Sequence, residues 1–184
     1  MPPLAEHPLR DLLERVAAGG PGPSGGACAA WACALGAGLV ELAAGVTLRH
    51  PECGEAHPRM RELSSRAGAL RDRATELADR DVAAYAAVLE ARRADDGGLE
   101  AALSAAADVP LEIAETAAEV AVLAGEVGQT GAAGLRGDAI VGAQLAAAAA
   151  RSAAELVAIN LDAAPRDGRV DRAREAAARA SAVG

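Results

Sequence analysis

Two aspartates stand where chemistry is possible. Met60, Leu63, Ala67, Leu70, Ala74, Leu77, Asp81, Ala84 and Val88 recur at alternating spacings of three and four. That spacing marks the packing seam of one long helix. Asp81 is the acid in the seam, while Asp79 and Arg80 fall on other sides of the helix. An ionised carboxylate in an apolar seam is costly unless paired, and desolvation raises its pKa. Such a group suits general acid or base work near neutral pH. The plainer reading is a structural hydrogen bond to a nearby helix end or arginine. Asp138 shares a helical face with Leu145, Ala149, Ser152 and Leu156. At the start of its helix it also reads as a capping residue. Together the two suggest a pair of acids in one cleft.

Other candidates carry less. Gly25 and Gly26 fall at a helix N-terminus, where free amides can hold an anion. No Lys-Ser/Thr pair follows them, so this is not a nucleotide P-loop. A tight helix entry accounts for them equally well. His50, Cys53 and His57 have spacing that three metal ligands could use, but no fourth ligand lies nearby. They are read as loop residues, with no metal expected. Cys28 and Cys33 lie inside an apolar run and are read as packing residues.

The elements that must position these residues are helices. The stretch from Gly19 opens with glycines and prolines and continues as a nearly unbroken apolar run through Leu35, Leu39 and Val40, interrupted by Glu41. A helix apolar all round must be buried all round. The other helices are expected to pack about it, and a second copy to cover the rest, giving a symmetric homodimer. A membrane span is disfavoured, because the run is mostly Ala and Gly and no basic cluster flanks it. A short helix is expected from Pro8 to Ala18, a long one from about Glu55 to Arg93, and a break at Asp95 to Gly98. Further helices are expected over Leu99 to Ala106, from about Asp108 to Val127, and from Arg136 to Leu161. A polar, loosely docked helix follows from Arg169 to Ala182. No strand pattern occurs. The expected fold is an all-α bundle in one domain, its core spanning about residues 8–162.

Composition bounds the function. Apolar residues make up 52% and aromatics 1%, with no Phe, so Ala, Leu and Val must build the core. Net charge is −8 and no segment is clearly basic, which argues against nucleic acid. Three cysteines form no paired framework, and Met1 to His7 is not a secretory signal. A cytoplasmic protein is expected.

These residues resemble the cyclodeaminase/cyclohydrolase family of folate one-carbon metabolism. Pro23-Ser24-Gly25-Gly26-Ala27, with Ala34-Leu35-Gly36-Ala37 after it, is similar to the family's glycine loop and small-residue helix. Asp81-Val82-Ala83-Ala84-Tyr85 matches its Asp-x-x-Ala-Phe/Tyr pattern. Val109-Pro110-Leu111-Glu112-Ile113-Ala114 matches a third motif. Gly137-Asp138-Ala139 and Leu156-Val157-Ala158-Ile159-Asn160-Leu161 match the last two. The resemblance covers about Leu9 to Leu161. Departures are Ala27 for the loop serine, Gly45 for an asparagine, Leu156 for another, and Leu48 to Cys53 in place of a lysine-rich stretch.

The resemblance implies a helical homodimer with a folate-binding cleft and no cofactor beyond its tetrahydrofolate substrate. Asp81 would be the acid/base and Asp138 a second catalytic acid. Gly25, Gly26 and Asn160 would line the ligand, and Arg49 or Arg136 would meet its glutamate tail. The expectation leans to a methenyltetrahydrofolate cyclohydrolase over a formiminotetrahydrofolate cyclodeaminase. The alternative is a non-catalytic homologue that binds a folate-like ligand or serves in assembly.

Overall fold

A computed structural model describes residues 3–19, 22–94, 97–162, 164 and 166–183. Among these are seven α-helices and no strand: α1 Leu9–Ala17, α2 Gly25–Thr47, α3 His57–Ala94, α4 Leu99–Ala106, α5 Asp108–Thr130, α6 Arg136–Asn160 and α7 Gly168–Ser181. Short 3-10 turns cover Leu4–Glu6, Pro51–Ala56 and Ala133–Leu135. The all-α expectation holds, and most boundaries fall within a residue or two of the sequence pattern. The stretch after His50 is a 3-10 turn where a loop was expected, because Pro51 presets its φ at the start of a turn. Of the expected breakers, Gly20, Pro21, Asp95, Asp96 and Pro165 lie outside the described residues.

Small side chains let the helices approach closely. α2 runs antiparallel to α6. A Cβ on Gly36 would sit 2.8 Å from the Gly142 carbonyl, so the two backbones touch at a pair of glycines. Gly25 lies against Leu156 at one end of this pair of helices. At the other end, the buried Thr47 hydroxyl donates to the Ala43 carbonyl at 2.8 Å and accepts from the Ala132 amide at 3.0 Å. α3 packs on α2's flank with the expected seam inward: Met60, Leu63, Ala67, Leu70, Ala74, Leu77 and Val88 are all buried. α5 packs behind α2, with Val109, Ile113, Val120 and Val127 in the core. Ion pairs join α3 to α5 at intervals of seven residues: Arg59 with Glu126, Arg66 with Glu119, Arg73 with Glu112. This is an antiparallel coiled-coil-like edge.

Two expectations change. α7 is firmly docked: Val170, Ala173, Ala176 and Ala180 are buried. Arg169 anchors its start through Asp167, Asp108 and the Ser104 carbonyl. Alanines at spacings of three and four supply a buried stripe that the charged residues between them obscured. Conversely, α2 is not buried all round. Leu35 is 63% exposed and Leu42 47%, and the neighbouring face of α6 leaves Val141 at 47% and Ile159 at 65%. Both helices are long and apolar enough to cross a membrane by length and composition, with 50% and 44% of their most apolar windows buried inside the fold.

Candidate functional site

The seam acid meets the glycine helix entry. Three consecutive residues of α3 leave in three directions. Asp79 accepts the Leu4 amide at 2.9 Å, fastening the N-terminal turn. Arg80 pairs with Glu112 of α5 at 2.7 Å. Asp81 reaches α2, where its Oδ2 accepts the Ala27 amide at 3.0 Å. Ser24, the residue before α2, makes no side-chain cap. The first turn of α2 is therefore capped from another helix, by a carboxylate that also favours the positive end of the helix dipole.

Gly26 makes this contact possible. A Cβ there would overlap the Asp81 carboxyl group, and even Oδ2 would lie only 2.6 Å from it. Asp81 is half-buried. Burial pushes its pKa above the usual carboxylate value, and the Ala27 hydrogen bond opposes that rise. The arrangement holds a partly desolvated carboxylate in one orientation, ready to take a proton.

Three residues near this point were not among the expected site residues. Cys28 has its thiol pKa raised, first by burial and then by the Asp81 charge. Leu156 approaches Gly25 at 4.0 Å from the hypothetical Cβ. Tyr85, one turn beyond Asp81 on α3, is 41% exposed. The Asp-x-x-Ala-Tyr motif carried Tyr85, but its periodicity gave it no separate signal.

The remaining candidates divide by position. Asn160 ends α6 four residues past Leu156, and its Nδ2 donates to the Ala106 carbonyl at 3.3 Å. It belongs to the Asp81 end. Asp138 does not. It sits half-buried in the first turn of α6, eighteen residues from Leu156, or about 27 Å along the helix. A single chain thus does not place Asp81 and Asp138 in one cleft, because the antiparallel packing of α2 and α6 sends them to opposite ends. Arg49 lies just past the C-terminus of α2, whose 23 residues span about 34 Å, and its guanidinium donates to the Gly45 carbonyl at 3.3 Å. Arg136 lies on a different side of α6. It lines a groove of about 540 Å³ with Gly125, Gly128, Gln129, Gln144 and Val183.

The histidine–cysteine loop is engaged elsewhere. His57 Nε2 lies 3.1 Å from the His50 carbonyl, and His50 Nδ1 lies 2.8 Å from Glu52. Among the described residues, no group of three or more His, Cys, Asp or Glu has metal-holding geometry.

A crystal structure of formiminotetrahydrofolate cyclodeaminase from Thermotoga maritima superposes with a TM-score of 0.90. The two are 24% identical, and the match covers 98% of this chain and 93% of the other. At that identity the likeness concerns the fold. No curated protein sequence matches the chain. The family model described as formiminotransferase-cyclodeaminase matches residues 8–179. That span includes the glycine entry, the seam aspartate and both ends of α6, and the chain belongs to the formiminotransferase-cyclodeaminase family.

Proposed function

We propose that this protein is a folate one-carbon enzyme of the cyclodeaminase/cyclohydrolase kind, acting on a tetrahydrofolate derivative beside Asp81. The observation that carries the reading is the half-buried Asp81 carboxylate, held against Gly26 by the Ala27 amide. Family membership supports a folate-derived substrate.

The chemistry asks for such a group. Hydrolysis of a methenyl bridge adds water to a cationic amidinium carbon. The water loses a proton, a tetrahedral carbinolamine forms, and one ring C–N bond breaks as its nitrogen regains a proton. Cyclodeamination starts from a formimino group. The neighbouring ring amine attacks the amidine carbon, and ammonia leaves carrying the proton. Both routes stabilise positive charge and move one proton between oxygen or nitrogen atoms. Asp81 serves as the base and then the acid, and its charge favours the cationic species. Gly26 gives its space to the Asp81 carboxyl group, and Gly25 leaves space for the ligand beside it. Asn160, one of whose two amide hydrogens is given to the Ala106 carbonyl, offers its side-chain oxygen to a ligand donor.

The protein is proposed to work in the cytoplasm as a homodimer, without cofactor, metal or nucleic acid. The partly exposed apolar faces of α2 and α6 support the dimer. Asp138, Arg49 and Arg136 are proposed as further site residues, Arg49 or Arg136 for the glutamate tail.

A second reading also has an observation behind it. The Asp81–Ala27 hydrogen bond is a sufficient structural reason for Asp81, so a non-catalytic folate-binding homologue would keep it too. Incubating the purified protein with methenyltetrahydrofolate and with formiminotetrahydrofolate separates the two. Conversion of either, followed by absorbance and ammonia release, supports the enzyme. Binding without conversion supports the homologue.

A further inference from the structure

The groove of about 540 Å³ between α5 and α6 has its own chemistry. On the α6 side it is lined by Arg136, Ile140 and Gln144, which recur every four residues and so stand in one row. On the α5 side it is lined by Gly125, Gly128 and Gln129. Glycine inside a helix costs about 1 kcal/mol relative to alanine, and both glycines have a packing reason here. A Cβ on Gly128 would stand 3.3 Å from the Ala139 Cβ, so the two helices close tightly at that point. A Cβ on Gly125 would overlap the Val183 side chain. Val183, just past the end of α7, therefore seats against bare backbone and closes the groove with an apolar wall.

The polar groups in this groove are uncommitted. Arg136 is the one charged group among the described residues that line it. Among the described residues, no ion pair or side-chain hydrogen bond engages Arg136, Gln129 or Gln144. The larger groove along α5 and α7 is different, since it sets three arginines among four glutamates. In a chain of net charge −8, an unopposed guanidinium beside alanines and Ile140 makes a local positive site. Its size and mostly apolar lining are those of small-molecule pockets. Arg136 and Leu156 stand twenty residues apart on α6, about 30 Å. A small ligand beside Asp81 does not reach it within one chain.

We propose that this groove is a second binding site, separate from Asp81, which takes a small carboxylate with an apolar body. The carboxylate meets Arg136, whose planar fork suits two parallel hydrogen bonds. The body runs along Ile140 and Ala143 toward Val183. Gln144 marks the far end, about 12 Å from Arg136 along the helix. Arg136 then has a ligand of its own, and the glutamate tail of a folate falls to Arg49. The inference stands apart from the proposed function, because a protein inert toward folates would keep the groove.

Equilibrium dialysis with radiolabelled octanoate tests the site without an assay of turnover. Octanoate supplies the carboxylate and an apolar body, while octanol and octylamine keep the body and change the head. The expected result is saturable binding of octanoate, one per chain, displaced by unlabelled octanoate about tenfold better than by octanol or octylamine. Arg136→Gln should weaken binding about tenfold. Ile140→Glu, at a position 47% exposed, should abolish it by placing an acid in the groove. Circular dichroism checks that both variants are folded. Absence of saturable binding, equal displacement by octanol, or unchanged binding by folded Arg136→Gln would each overturn the proposal. Displacement of octanoate by methenyltetrahydrofolate would overturn it too, by making the groove part of the folate site. Octanoate binding with no folate turnover would leave this site standing and remove the enzymatic reading alone.

Discussion

Asp81 of α3 caps the first turn of α2 across Gly26, its Oδ2 3.0 Å from the Ala27 amide. An acid in an apolar seam is thus fixed at a helix N-terminus that has no cap of its own. The contact depends on a missing side chain as much as on a present one. Gly26→Ala should force the carboxylate away and destabilise the protein by about 1–3 kcal/mol. The same change at Gly137, where nothing lies within 4 Å, should stabilise it by about 0.5 kcal/mol. Urea denaturation of the two variants beside the wild type makes the comparison, and equal effects would contradict it.

The Asp81 pKa has a consequence for stability. Its folded value is raised by burial, so the native state holds this proton more tightly than the unfolded chain. Asp81 is then most favourable to folding below the unfolded carboxylate pKa. That contribution is lost as pH rises through the folded value. Asp81→Asn removes the dependence. The variant should therefore gain stability relative to wild type as pH rises from about 4 into the neutral range. Chemical denaturation at several pH values measures this, and a difference that shrinks with rising pH would count against the assignment.

Thr47 ties the far end of α2 to the entry of α6. Its hydroxyl is fully buried, donates to Ala43 and is the acceptor for the Ala132 amide. Thr47→Val keeps the shape and leaves that amide without its partner. A loss of about 1–3 kcal/mol is expected in a denaturant titration. Thr47→Ser, which keeps the hydroxyl, should recover part of it.

The ion pairs along α3 and α5 should matter much less. Arg66 and Glu119 are both substantially exposed. A double-mutant cycle on the pair should give a coupling of about 0.2–1 kcal/mol, reduced by high salt. A larger, salt-insensitive coupling would show that this edge is not governed by solvent-screened charge.

Much of the fold was legible in the chain. The three-four spacing from Met60 to Val88 gave α3 and its inward face, and Asp81 stood out because its neighbours in the seam are Ala and Leu. The glycines before Ala27 marked the entry of α2. What they serve there was not legible. Only tertiary packing reveals that Gly26 makes room for a carboxylate whose residue lies fifty-four positions from the Ala27 amide it accepts. Asp138 illustrates the limit from the other side. Its inward face was readable from helical period, but period alone carries no information on which end of a neighbouring helix that face meets. The docking of α7 was hidden for a different reason, since alanine contributes little to a hydropathy pattern and yet packs closely.

If Asp81 moves the proton in a reaction of a tetrahydrofolate derivative, its replacement must slow that reaction. The direct measurement is the rate at which purified wild-type and Asp81→Asn proteins convert methenyltetrahydrofolate and formiminotetrahydrofolate, with folding checked by circular dichroism. Asparagine keeps the size and can still accept the Ala27 amide, but it cannot exchange the proton. Turnover of one of the two by wild type is expected, with a fall of about 100-fold or more in the variant and ligand binding partly retained. Equal turnover by a well-folded Asp81→Asn protein, or none by the wild type, would contradict it.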